Sequence, residues 1–209
     1  GAIKIAEKFG PKIQREFFEK MGLFERPSLP LPEVSRPYVP RTWNTTNMMS
    51  ASYGYGVAMS PLQLLEAVAS IVENGHRIHA KILPNMPNEY GERIFSQKTV
   101  QTVRRLMRMV VTDGTARKVN VKGYNVFAKS GTAQARTNGK YDKNARMAVL
   151  VAGFPVEEPK YLILMMLDNP QPTKETAGFA TAGWTVAPAV AEIISHIAPI
   201  LGIVNAEVA

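Results

Sequence analysis

Val126-Phe127-Ala128-Lys129-Ser130-Gly131-Thr132-Ala133 is the stretch on which the reading of this chain turns. It opens as an apolar, β-favouring run and then breaks into Lys-Ser-Gly-Thr, small polar groups beside one fixed cation. A strand that ends this way is poorly suited to a plain core. Gly131 has no Cβ and lets another group come close to the backbone. Lys129, Ser130 and Thr132 add an ammonium and two hydroxyls. The combination suits one wall of a site for an anionic or acyl substrate, and four residues need their context to decide.

The context begins with size. The chain has 209 residues, 45% of them hydrophobic and 20% charged, which is globular composition and enough to bury a core. A net charge of +8, from 25 basic and 17 acidic residues, is partly local: Lys98, Arg104, Arg105, Arg108, Arg117, Lys118 and Lys122 crowd one region. Such an excess could attract an anionic polymer or surface, but no nucleic-acid module accompanies it, and a solvated helix face is the plainer reading. There is no cysteine, which excludes disulfides, thiolate metal sites and a Cys nucleophile. The longest apolar run, Tyr161 to Leu167, is strand-sized, well short of the roughly 20 residues a membrane helix needs. The chain begins with Gly1 and shows no signal peptide, so it is expected to be a piece of a longer protein.

Working outward, three strand-length runs follow one another: Asn125 to Gln134, Arg146 to Phe154 and Lys160 to Asp168. The short connections between them predict an antiparallel meander. A Gly/Thr/Ala-rich loop, Pro170 to Gly183, leads to a last helix over about Trp184 to Leu201. Before the meander the pattern is helical. Ala2 to Phe24 carries an apolar stripe (Ile3, Ala6, Phe9, Ile13, Phe17, Phe18, Met21) interrupted at Gly10-Pro11, with Gly22 as a C-terminal cap. Pro27 to Arg41 holds five prolines and predicts an irregular surface connector. Ser60 and Pro61 open a helix that is apolar nearly all round, runs to about Glu73 and is expected to pack on a sheet. A strand is expected over His79 to Leu83, then a polar loop. Ser96 caps a second long helix through about Val111, with Val100, Val103, Leu106, Met107 and Val110 on its inner face. Asp113-Gly114-Thr115-Ala116 is either a plain helix end or a turn with an anion-binding backbone. The sum is an α+β domain with helices packed on an antiparallel sheet.

Other chemistries lack their residues. Gly131 to Lys140 has the wrong spacing for a P-loop, and Tyr141 stands where Ser or Thr is needed. His76 and His79 have no third ligand in sight, so no metal is expected. None of His76, His79 and His196 has a partner serine in a nucleophile-elbow context.

Lys129-Ser130-Gly131-Thr132 resembles the Lys-Thr/Ser-Gly motif of the penicillin-binding serine transpeptidases and the related β-lactamases. Three further passages agree, in the family's order. Ser52-Tyr53-Gly54-Tyr55-Gly56 followed by Ser60-Pro61-Leu62-Gln63-Leu64 resembles the Tyr-Gly-x-Gly … Thr/Ser-Pro-Leu-Gln-Leu passage of the class B penicillin-binding proteins. Val151-Ala152-Gly153-Phe154-Pro155 resembles their next strand. Gly178-Phe179-Ala180-Thr181-Ala182-Gly183-Trp184 with Ala187-Pro188 resembles the segment before their last helix. The resemblance covers nearly the whole chain and is most specific to the division-specific septal transpeptidases of Gram-negative bacteria.

What the resemblance implies is acyl transfer through a serine ester, with a Ser-x-x-Lys nucleophile and base, a Ser-x-Asn relay and no cofactor. No serine here has Lys three residues on or Asn two residues on. The chain is therefore expected to be the C-terminal portion, residues 1–209, of one transpeptidase domain of penicillin-binding, β-lactamase-like fold, inactive by itself. Ser-x-Asn is expected shortly before Gly1, and Ser-x-x-Lys further upstream. By the same resemblance Lys129 supplies positive potential for proton relay and substrate. The Ser130 and Thr132 hydroxyls grip the terminal carboxylate of a D-Ala-D-Ala stem peptide or a β-lactam. The Thr132 backbone N–H is an oxyanion donor, and Gly131 keeps the strand edge open. Phe179 and the Asp113–Ala116 turn border the cleft, while Tyr53–Gly56 is a structural turn. Expected partners are the peptidoglycan stem peptide, β-lactams, the N-terminal remainder of the domain and membrane proteins of the division machinery, with no nucleic acid. The expected location is the periplasm, on an anchor in the inner membrane. Two alternatives stand beside this reading: a β-lactamase or penicillin-sensing receptor, and a non-catalytic binding or scaffold domain of the same fold.

Overall fold

The computed structural model describes residues 1–86, 90–137 and 140–205. The chain divides into two compact units, Gly1–Val100 and Gln101–Ala209.

In the first unit, α1 (Ala2–Glu7) and α2 (Gly10–Lys20) are separate helices, as the Gly10-Pro11 interruption predicts, and Gly10 takes φ +80°. α2 closes on Gly22 at φ +73°, where Gly22 N–H donates to Glu19 O and Leu23 N–H to Phe18 O. Those two bonds are a Schellman cap, which needs a residue without Cβ strain at this position. The expected stripe is only partly inside: Ala6 and Met21 are buried, whereas Phe9, Ile13 and Phe17 stay exposed and line an apolar groove with Ile5. The proline-rich connector is irregular apart from a single bridge between Tyr38 and Ala58. After it come α3 (Thr45–Ala51) and the Tyr53–Gly56 turn, in which Gly54 and Gly56 have positive φ.

α4 (Pro61–Val72) has the predicted start and the predicted stop at Gly75, which has φ +84°. Ser60 Oγ accepts from Gln63 N–H at 3.2 Å, and Gln63 Oε1 accepts from Ser60 N–H at 3.0 Å, a reciprocal capping box. Gln63 is buried, and its amide also donates to Glu25 O at 2.8 Å. The Gln of Pro-Leu-Gln-Leu thus ties the helix start to the segment that follows α2.

The strand expected over His79 to Leu83 lies earlier: β1 is His76–Ile78, paired antiparallel with β2 (Tyr90–Arg93), which falls where a loop was expected. Beyond β1 the backbone finds another partner: Glu66 Oε1, on α4, takes Ala80 N–H at 2.6 Å where the expected strand would run, while Ser70 Oγ accepts from Ile78 N–H at 2.9 Å at the end of β1. α4 packs on this two-stranded ribbon.

The division between the units falls within α5 (Gln97–Thr112). Ser96 caps it, its Oγ accepting from Thr99 N–H at 3.2 Å. Val100, Met107 and Val111 are buried, but Leu106, expected inside, is 56% exposed. Positions 100, 107 and 111 lie close together on the wheel, and 106 is a full 100° step from 107. Of the basic cluster, Arg104 and Arg108 are half-buried, and Lys98, Arg105, Arg117, Lys118 and Lys122 are exposed, in keeping with a solvated face. Arg108 donates to Val126 O at 2.6 Å and Asn120 Oδ1 at 2.9 Å, Arg104 to Glu157 O, and Arg117 to Asp113 O.

The second unit is built on the predicted meander. β3 (Phe127–Thr137), β4 (Lys140–Phe154) and β5 (Tyr161–Asp168) form an antiparallel sheet in the order β3-β4-β5. Register places Ala128 beside Ala152 and Ile163, and Thr132 beside Ala148 and Leu167. The even-numbered residues of β3 and β4 therefore share one face. α6 (Ala182–Ile200) lies on it through Ala182, Val186, Val190, Ile194 and Ala198, packing against Val126, Ala128, Leu150, Ala152 and Phe154. α6 starts two residues before the predicted Trp184, with Thr181 as its N-cap. Gly153 has a packing reason. A Cβ there would come within 2.3 Å of Phe127 Cζ and 2.5 Å of a Leu162 methyl, so the Phe127 ring covers its strand partner.

Candidate active site

Strand alternation sorts the residues of Lys129–Thr132. Val126 and Ala128 enter the core under α6, and the next two residues on that face are Ser130 and Thr132. The face thus changes from apolar to hydroxyl as β3 reaches the N-terminus of α6. Lys129 and Gly131 lie on the opposite face with Phe127. The ammonium turns back to the strand's own backbone: Lys129 Nζ donates to Ser130 O at 2.6 Å. β3 is the outer strand of its sheet, with β4 on one side only among the described residues. In an antiparallel strand, residues two apart direct their backbone groups to the same side. The Thr132 N–H therefore shares the open edge with the Ser130 carbonyl.

Two contacts hold the hydroxyls. Thr132 Oγ1 accepts from Ala182 N–H, the first residue of α6, at 3.2 Å. Ser130 Oγ lies 2.7 Å from Thr115 Oγ1. The turn after α5 thereby reaches Ser130 through a side chain. It is fixed by Asp113 N–H to Met109 O at 2.8 Å and Ala116 N–H to Val110 O at 3.1 Å. Gly183 lets the turn sit against α6, because a Cβ there would be 2.1 Å from Thr115 O. Gly131 is different: the nearest described atom to a Cβ would be Val149 O at 4.0 Å, so the space over it is open.

Phe179 is 50% exposed and stacks on Trp184, with ring centroids 5.1 Å apart, and Lys118 Nζ lies 4.1 Å from the Trp184 centroid. Phe179 is thus packed on the first turn of α6. Its loop is shaped by Ala177 and Gly178, both at positive φ, and by Gly178 N–H to Thr173 O at 2.9 Å. Sequence reasoning missed the roles of Ala182 N–H and Gly183. The signal available for them was the run of small residues, Ala180-Thr181-Ala182-Gly183, at a helix start.

This sheet, with its hydroxyl-lined outer strand packed beside one long helix, has counterparts among known proteins. Residues 1–194 match the family described as the penicillin binding protein transpeptidase domain, and the chain belongs to that family. It is 30% identical to the probable peptidoglycan D,D-transpeptidase FtsI of Caulobacter vibrioides over 97% of this chain and 36% of that protein. The chain thus spans about a third of the length of that curated relative. The transpeptidase domain of penicillin-binding protein 3 from Burkholderia pseudomallei superposes with a TM-score of 0.84 at 28% identity, covering 98% of this chain and 62% of that one. Penicillin-binding protein 3 of Mycobacterium tuberculosis, solved with aztreonam, gives 0.81 at 26% identity, over 97% of this chain and 49% of that one. The α+β architecture is therefore that of the penicillin-binding transpeptidases. Among the described residues no helix is long and apolar enough to cross a membrane.

Proposed function

We propose that this chain is the C-terminal portion of the transpeptidase domain of a class B penicillin-binding protein. Its parent cross-links septal peptidoglycan by acyl transfer from D-Ala-D-Ala stem peptides and is acylated by β-lactams. The observation that carries the proposal is the outer edge of β3. There the Ser130 and Thr132 hydroxyls on one face, the Lys129 ammonium on the Ser130 carbonyl and the Thr132 N–H flank open space over Gly131. A carboxylate accepts hydrogen bonds only, and Ser130 and Thr132 each have one proton to give. Lys129 adds positive potential for the substrate anion and for proton relay. Thr132 N–H is one oxyanion donor, a contribution of about 3 kcal/mol to the transition state. The nucleophile, its base and the Ser-x-Asn relay are assigned to residues outside this sequence, because no serine in it has either spacing. The parent is assigned to the periplasmic side of the inner membrane, with partners in the division machinery.

Fluorescent penicillin is the test. The parent protein is expected to be labelled at a serine outside these 209 residues, and a polypeptide of these residues alone to remain unlabelled. A labelled serine within this sequence, or a parent lacking Ser-x-x-Lys, overturns the proposal.

A further inference from the structure

We propose that Thr115 is a positioning residue of the carboxylate grip, acting on substrate through Ser130. The inference rests on the function proposed above and starts from proton direction. Either hydroxyl of the Thr115–Ser130 pair could donate, and the oxygens are 2.7 Å apart. A bound carboxylate removes that freedom. It has no proton, so Ser130 must donate to it, and Thr115 must then donate to Ser130. The result is a chain from Thr115 O–H to Ser130 O–H to carboxylate, in which each bond polarises the next.

The second hydroxyl is arranged in the same way. Thr132 Oγ1 accepts from Ala182 N–H at 3.2 Å, so its own proton is free to point outward. Each gripping hydroxyl has a donor behind it, one from the backbone and one from Thr115. The Thr115 donor is held in place rather than merely adjacent. Its carbonyl sits where a Cβ on residue 183 would come within 2.1 Å, a seat that exists only because residue 183 is glycine. The turn that carries it is closed by Ala116 N–H to Val110 O and by the Arg117 guanidinium on Asp113 O at 2.6 Å. The start of α6 therefore fixes both donors at once, one through Ala182 N–H and the other through Gly183.

The test uses the full-length parent and its Thr115→Val, Thr115→Ala and Thr115→Ser variants. The second-order acylation rate is measured with benzylpenicillin and with benzylpenicillin methyl ester, which lacks the carboxylate, and melting temperature is followed in parallel. Val and Ala are expected to slow benzylpenicillin about three- to tenfold, the range of one neutral hydrogen bond. Ser is expected to restore the rate, and the ester is expected to react equally with all four proteins. Equal slowing of penicillin and ester makes Thr115 a structural residue and overturns the inference, as does a Val variant with the wild-type penicillin rate. A wild-type parent that takes up no penicillin overturns the functional reading itself, and this inference with it.

Discussion

Thr132→Val separates the two functions that the site assigns to one residue. The substitution keeps the shape and the backbone N–H and removes the hydroxyl. Two losses follow, each with its own size. The first is in binding: a hydrogen bond to a charged carboxylate contributes about 1.5–3 kcal/mol, so acylation by benzylpenicillin should fall roughly ten- to a hundredfold. The second is in stability. Ala182 is fully buried and its N–H donates to Thr132 Oγ1, so valine leaves a buried donor without its acceptor, at about 1–3 kcal/mol. The oxyanion donor is untouched, because it belongs to the backbone. Its loss would add a further 100- to 1,000-fold, on the order seen when one such donor is removed. The assay is stopped-flow or gel-based acylation of the parent by a fluorescent penicillin, paired with thermal melting. Thr132→Ser should retain both the rate and the stability. Wild-type acylation by the valine variant would refute the carboxylate grip. A wild-type melting temperature in that variant would refute the Ala182 contact.

Two further outcomes follow from positions outside the grip. Gly153→Ala should destabilise the protein by about 1–3 kcal/mol, the usual range for overpacking a core. Its Cβ would enter the space of the fully buried Phe127 ring, and a denaturation midpoint equal to that of the wild type would refute the packing argument. Hydrogen bonding from Arg77 holds the Glu25 carboxyl below its ordinary value of 4.5, against a smaller opposing effect of burial. A lowered carboxyl pKa stabilises the fold above its unfolded-state value, and that stabilisation is lost as pH falls through the lower, folded-state value. The Glu25 side chain is 57% exposed, so the contribution is at most about 1 kcal/mol. Glu25→Gln should flatten stability against pH below about pH 4.5 and leave penicillin acylation of the parent unchanged. An unaltered acid limb in the denaturation profile would refute the Arg77 pairing.

The sequence by itself determined what depends on near neighbours. Three strand-length runs, Asn125–Gln134, Arg146–Phe154 and Lys160–Asp168, with short connections between them, were enough for an antiparallel meander. Ser60-Pro61 and Gly22 were enough for helix ends, because caps are made within a few residues of themselves. The order of four motifs along the chain was enough for the family. Competition between distant groups was not legible. The strand lies at His76–Ile78, and Glu66, on another element, takes the N–H of Ala80 just beyond it. Leu106 turned outward although its residue type argues for the core.

The same division runs through the site. The string Lys129-Ser130-Gly131-Thr132 reads as four neighbours in one place, and the two-residue period of a strand sends Lys129 and Gly131 to one face and Ser130 and Thr132 to the other. Only the tertiary structure shows that the Lys129 ammonium returns to the Ser130 carbonyl while the hydroxyls take partners from other elements. The partners of the two hydroxyls come from 15 and 50 residues away, Thr115 and Ala182. Residue types and spacings name the donors a site can offer. Tertiary packing settles which of those donors is left free to act, because each proton goes to one acceptor and the competing acceptors come from other elements.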